Sequence, residues 1–114
     1  MSRDDEQRDH FRIRYPWGTN PTLRAAGVDH PVTELSEGGL RVHGVPEGVA
    51  AGSLFAGSLE CCCGERHEVT AIVGRREGEE CVLVELTGVS FAAVMREQQH
   101  LVQHHPTFRI QRDG

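Results

Sequence analysis

Apolar and polar side chains alternate over much of the chain. Phe11, Ile13 and Tyr15 alternate with Arg12 and Arg14 before Pro16 closes the run, which predicts a half-buried first strand. Residues 21–27 and 31–35 form short β-tolerant runs separated by Val28-Asp29-His30. Ser36-Glu37-Gly38-Gly39 then reads as a tight turn into Leu40-Arg41-Val42-His43, so a hairpin is expected there. After a loop at 44–48, residues 53–61 and 67–75 each predict a strand, with Cys63-Gly64-Glu65-Arg66 at the turn between them. Val69, Ala71 and Val73 would share one face. Glu77-Gly78-Glu79 supplies the next turn, and residues 81–86 predict a strand with Val82, Val84 and Leu86 on one face.

Only the end of the chain carries a helical period. Phe91, Val94, Met95, Leu101 and Val102 fall at helical spacing, with Arg96, Gln99, His100, Gln103 and His104 on the other face. Ser90 is the expected N-cap and Pro106 the terminator. Strand after strand at turn spacings near ten residues, closed by one amphipathic helix, predicts an all-β fold: a small antiparallel sandwich or barrel covered by a C-terminal α-helix.

The boundaries follow from texture. Residues 1–10 are charged and nearly devoid of apolar side chains, which predicts a flexible N-terminal arm; residues 11–106 form the folded domain, and 107–114 a tail without a readable pattern. A length of 114 residues suits one domain. The longest uncharged stretch, 48–59, has 12 residues and contains three Gly and two Ser, too short and polar for a membrane span. Acids near the N-terminus occupy the place of a signal peptide's apolar stretch, so a cytoplasmic location and no membrane insertion are expected. A formal net charge of −5 argues against a general nucleic-acid coat. All 12 basic residues are Arg, so every cationic site is built from planar, forked guanidinium groups.

Two short segments carry the candidate chemistry. Arg8-Asp9-His10-Phe11-Arg12-Ile13-Arg14 places three guanidiniums at the junction of arm and first strand. A guanidinium donates paired hydrogen bonds to phosphate oxygens or to guanine O6 and N7 and stacks on a purine, so the cluster fits a guanine nucleotide; it also fits a solvated charge run paired with Asp4, Asp5, Glu6 and Asp9. In Glu34-Leu35-Ser36-Glu37-Gly38-Gly39, the glycines permit close backbone approach, Ser36 offers a hydroxyl, and Glu34 can accept from guanine N1 or N2 hydrogens; taken alone, the segment is a hairpin turn.

Together, in this order, the segments resemble the PilZ domain, the bacterial cyclic di-GMP receptor module, with its R-x-x-x-R motif before the first strand and its [D/N]-x-S-x-x-G motif in an early hairpin. Arg8 and Arg12 match the first motif; Ser36 and Gly39 match the second, with Glu34 standing where the family has Asp or Asn. The resemblance extends loosely over residues 8–105 and implies a six-stranded antiparallel β-barrel with a C-terminal helix. It further implies that Arg8 and Arg12 grip the phosphates and guanine edges of cyclic di-GMP, with Glu34, Ser36 and Gly39 in the opposing wall. Gln7 lies at a position that varies between family members binding one ligand or a stacked pair. No other cofactor is expected. The implied function is a receptor or adaptor that relays second-messenger level to an effector protein controlling motility, exopolysaccharide or biofilm.

Two alternatives stay open: a PilZ-fold interaction module without the ligand, as in type IV pilus assembly, and a small β-barrel that binds RNA or single-stranded DNA. Few aromatic residues and the acidic balance disfavour the latter, so no nucleic acid is expected as a partner. Cys61, Cys62 and Cys63 lack the spacing of a metal knuckle and read as small apolar strand fillers. His100 and His104 lie one helical turn apart with His105 beyond, and read as a solvated helix face rather than a metal site. No nucleophile elbow, metalloprotease helix or phosphate loop is present, so no enzymatic activity is expected.

Overall fold

A computed structural model describes residues 11–46, 49–105 and 111–112. The expected arm at 1–10, with Gln7 and Arg8, lies outside these residues. The strands are β1 (Phe11–Arg14), β2 (Thr22–Ala25), β3 (Val28–Ser36), β4 (Gly39–His43), β5 (Leu54–Glu60), β6 (Arg66–Glu77), β7 (Glu80–Thr87) and β8 (Gln111–Arg112), with helix α1 (Phe91–His104) before the last. Strands β2-β5-β6-β7-β4-β3 are neighbours in that order, and β3 pairs back on β2, closing a six-stranded antiparallel barrel. Closure leaves the ring without a free edge. The barrel with one C-terminal helix is the expected fold.

Strand β1 lies outside the ring. One edge of β3 gives its first half to β2, through Val28–Ala25 to Pro31–Thr22, and its second half to β1, through Glu34–Arg14 and Leu35–Ile13. A register shift between Val32 and Glu34 on the β4 side marks the handover. The tail that carried no readable pattern contributes β8, which pairs with β1 through Arg12–Gln111.

Three boundaries differ from the sequence reading. The break expected at Val28-Asp29-His30 falls earlier: Ala26 (φ 51°) and Gly27 (φ 77°) form a two-residue hairpin turn, leaving β-branched Val28 to start β3. Cys61, Cys62 and Cys63 lie in a turn rather than a strand. There Cys61 N–H donates to the Glu65 carbonyl at 2.8 Å and Gly64 N–H to the Cys61 carbonyl at 3.0 Å. In β7 the inward residues are Cys81, Leu83 and Leu86, not the set Val82, Val84, Leu86. Every position from 81 to 84 is apolar or Cys, so alternation cannot choose the face; pairing with β4, Val42 to Cys81 and Leu40 to Leu83, does. A bulge at Glu85 (φ 53°) then returns Leu86 to the core.

The core is aliphatic, with Ile13, Leu23, Val32, Val42, Leu59 and Leu83 at its centre. Helix α1 adds Ala93, Val94 and Leu101, and Ser90 caps it by accepting from Ala93 N–H at 3.1 Å. Val102, assigned to the apolar face, is exposed, and Glu97 takes the place between Val94 and Leu101 with no exposure at all. The approach to the helix needs glycine: at Gly88 (φ 102°) a Cβ would stand 2.2 Å from the Glu68 carbonyl oxygen.

Candidate functional site

Of the motif residues, Arg12, Glu34, Ser36 and Gly39 meet on the outer face of the barrel. Burial of Ile13 turns Arg12 and Arg14 outward on β1, and burial of Leu35 and Leu40 turns Glu34 and Arg41 outward on β3 and β4. Glu34 is in register with Arg14 on one side and Arg41 on the other. Its carboxylate spans two guanidiniums: Oε2 lies 3.2 Å from Arg41 Nε, and Oε1 lies 4.0 Å from Arg12 Nη1. Ser36 Oγ donates weakly to the Gly39 carbonyl at 3.4 Å across the Glu37-Gly38 turn. Gly39 is fixed by packing, because a Cβ there would stand 2.9 Å from the Leu83 carbonyl oxygen.

These side chains line a surface cleft of about 200 Å³, shared with Arg41, Arg75, Val82 and Val84. Arg12, Glu34, Ser36 and Gly39 therefore line one cleft; Arg8 lies outside the described residues. The valines give the cleft an apolar part of its lining beside the guanidiniums. Arg75, which no motif marked, joins the cleft because the β6 register shifts at Gly74, where an extra residue opposes β7. Arg41 was legible as an outward residue between Leu40 and Val42, but no motif marked it.

The guanidiniums are matched by acids. Arg41 Nη1 donates to Glu77 Oε1 at 2.7 Å and to Glu80 Oε1 at 3.3 Å, and Arg75 Nε donates to Glu77 Oε2. Bonds from Arg75 and Arg41 pull the Glu77 carboxyl down to about 2, and the Glu77 bond raises Arg41. The ionic set Arg12, Arg41, Arg75 against Glu34, Glu77, Glu80 is neutral.

A second polar constellation lies at the helix. Glu97 Oε2 accepts from the Tyr15 hydroxyl at 2.8 Å and from Cys62 N–H at 2.9 Å, while Oε1 accepts from Cys63 N–H at 2.9 Å. Burial, then Glu97, raises Tyr15 well above its ordinary value, and the same causes push Cys61 up and Cys62 to about 12. Outside it, Arg96 pairs with Glu65 through two hydrogen bonds at 2.6 and 3.0 Å. Glu97 was missed in the sequence, although a carboxylate three residues after Val94 and four before Leu101 had to find donors inside.

The rings of His100 and His104 are 4.6 Å apart, and no group of three or more His, Cys, Asp or Glu among the described residues is arranged to hold a metal ion. Among those residues no helix is long and apolar enough to cross a membrane. No protein-family model, curated protein or solved structure matches the chain.

Proposed function

We propose that this protein is a PilZ-type receptor for cyclic di-GMP, acting without chemistry on its ligand and signalling to an effector protein in the cytoplasm. The observation that carries the reading is the convergence of Arg12, Glu34, Ser36 and Gly39, from two separate motifs, on one cleft with a partly apolar lining. A purine lies flat on Val82 and Val84, Arg12 donates in parallel to phosphate or to a guanine edge, and Glu34 accepts from guanine N–H groups. A volume of about 200 Å³ is below the roughly 300–1,000 Å³ of ordinary small-molecule pockets, so this cleft holds one part of the dinucleotide. On the same reading Arg8, which lies outside the described residues, also binds the ligand. Ligand bound in the cleft would change the charge and surface an effector meets, in motility, exopolysaccharide or biofilm control.

Calorimetric titration with cyclic di-GMP tests the reading and counts ligands per chain. Heat of binding is expected in the wild type and a loss of at least about tenfold in affinity in Arg12→Ala, since the variant lacks a charge-assisted pair. No heat at high micromolar ligand in the wild type removes the proposal. It would favour the second reading, a PilZ-fold interaction module without ligand, whose support is the pairing of cleft cations with Glu34, Glu77 and Glu80.

A further inference from the structure

Glu34 differs from the other acids paired with the cleft's guanidiniums in where it stands. Glu77 and Glu80 hold Arg41 from the β6–β7 side, and Glu77 also holds Arg75. Glu34 instead sits between Arg41 and Arg12, with one carboxylate oxygen directed to each, and lines the cleft itself. The arrangement depends on side-chain length. Register pairing sets the Glu34 backbone opposite both Arg14 and Arg41, and the glutamate carboxylate spans from Arg41 Nε toward the diagonal neighbour Arg12. A phosphate seated on Arg12 and Arg41 would stand against this carboxylate. Two anions on one pair of guanidiniums repel, so such a ligand must displace the carboxylate or offer it something in return.

We propose that Glu34 is a built-in counter-ion that makes the cleft selective: it excludes simple phosphates and admits an anion only when the same ligand presents N–H donors for the carboxylate to accept. Arg41, clamped on its far side by Glu77 and Glu80, is the positioning residue that keeps Glu34 directed into the cleft. A ligand with phosphate and a guanine donor edge satisfies both requirements, because its phosphate takes Arg12 while its N1 and N2 hydrogens engage Glu34. Inorganic pyrophosphate satisfies only the first. With Glu34 neutralised, the negative charge between Arg12 and Arg41 is gone, and the cleft becomes a general anion site. The natural ligand named here rests on the receptor reading; the counter-ion role does not.

The test is a pair of titrations, with inorganic pyrophosphate and with cyclic di-GMP, on the wild type, Glu34→Gln and Glu34→Asp. Glu34→Gln is expected to bind pyrophosphate at least about tenfold more tightly than the wild type, because a like charge beside the anion has gone. Glu34→Asp, which keeps the charge, is expected to stay within about threefold of the wild type for pyrophosphate. Far-UV circular dichroism confirms the barrel in each variant, and Glu34→Asn carries the same expectation as Glu34→Gln should the latter fail to fold. Equal or weaker pyrophosphate binding by the neutral variants overturns the inference. So does a wild type that already binds pyrophosphate as tightly as they do. If cyclic di-GMP fails to bind the wild type while Glu34→Gln gains pyrophosphate, the receptor reading falls and the counter-ion stands.

Discussion

Glu34 and Glu97 each join three parts of the chain, but in opposite surroundings. Glu34 lies on the outer face of the barrel, 22% exposed in its side chain, between guanidiniums at 3.2 and 4.0 Å. Glu97 is fully buried and accepts from one hydroxyl and two backbone N–H groups, all within 2.9 Å. An ion pair beside water gains little net energy and rearranges readily, whereas a buried carboxylate with short hydrogen bonds cannot lose its partners without a large desolvation cost. The first arrangement suits a place where a ligand exchanges contacts. The second suits a joint: it ties the end of β1 and the cysteine turn to α1, and so fixes the strand that carries Arg12.

The contrast is most easily broken from the buried side. Glu97→Ala removes the acceptor for one buried and two part-buried donors and opens a cavity beside Val94 and Leu101, so it is expected to destabilise the fold by about 3 kcal/mol or more. Tyr15→Phe deletes one donor and leaves the others paired, at about 1 kcal/mol. Glu34→Gln is expected to change stability by no more than about 0.5 kcal/mol. Urea unfolding followed by circular dichroism gives all three values, and a loss at Glu34 equal to that at Glu97 would erase the distinction.

The same contrast explains what the sequence made legible. Alternation and turn residues were sufficient for an antiparallel sandwich or barrel, because outward residues such as Arg12, Glu34 and Arg41 are separated by inward apolar ones; the closed six-stranded form was implied only by the resemblance. Where apolar character was continuous, as from Cys81 to Val84, only pairing with β4 decided the face. Glu97 was hidden for a different reason: a carboxylate in a helix is ordinarily solvated, and the donors that allow its burial come from Tyr15 and the cysteine turn, 82, 35 and 34 residues away. In the cleft, spacing located the motif residues, but Arg75 arrives through a register shift at Gly74 that no local pattern announces.

Alkali should act on the joint. Tyr15, Cys61 and Cys62 all have raised values, caused first by burial and then by Glu97, with Cys62 at about 12 against an ordinary 9.0. An acid whose folded value is raised contributes stability that is complete below its unfolded value and lost as pH climbs through the folded one. Thermal stability is therefore expected to fall from about pH 9 upward as the unfolded chain ionises these groups while the folded chain resists. Tyr15→Phe should flatten the part of this decline above pH 10. A melting temperature that holds level from pH 8 to 11 would contradict the buried assignment of these groups.

Acid should act on the cleft, and more gently. Bonds from Arg75 and Arg41 hold Glu77 at about 2 against an ordinary 4.5. A depressed carboxyl contributes stability that is present above its unfolded value and lost as pH falls toward its folded one, so the window runs from about pH 4.5 down to about 2. Because Glu77 is solvent-exposed, salt screens the effect, and it should be visible at low ionic strength and nearly absent in 1 M salt. Comparison with Glu77→Gln isolates it: the wild type's small advantage in melting temperature at pH 6 should shrink below pH 4.5 and disappear near pH 2. Persistence of the advantage at pH 2, or its indifference to salt, would mean that Glu77 works through packing and that the outer cluster is as rigid as the joint around Glu97.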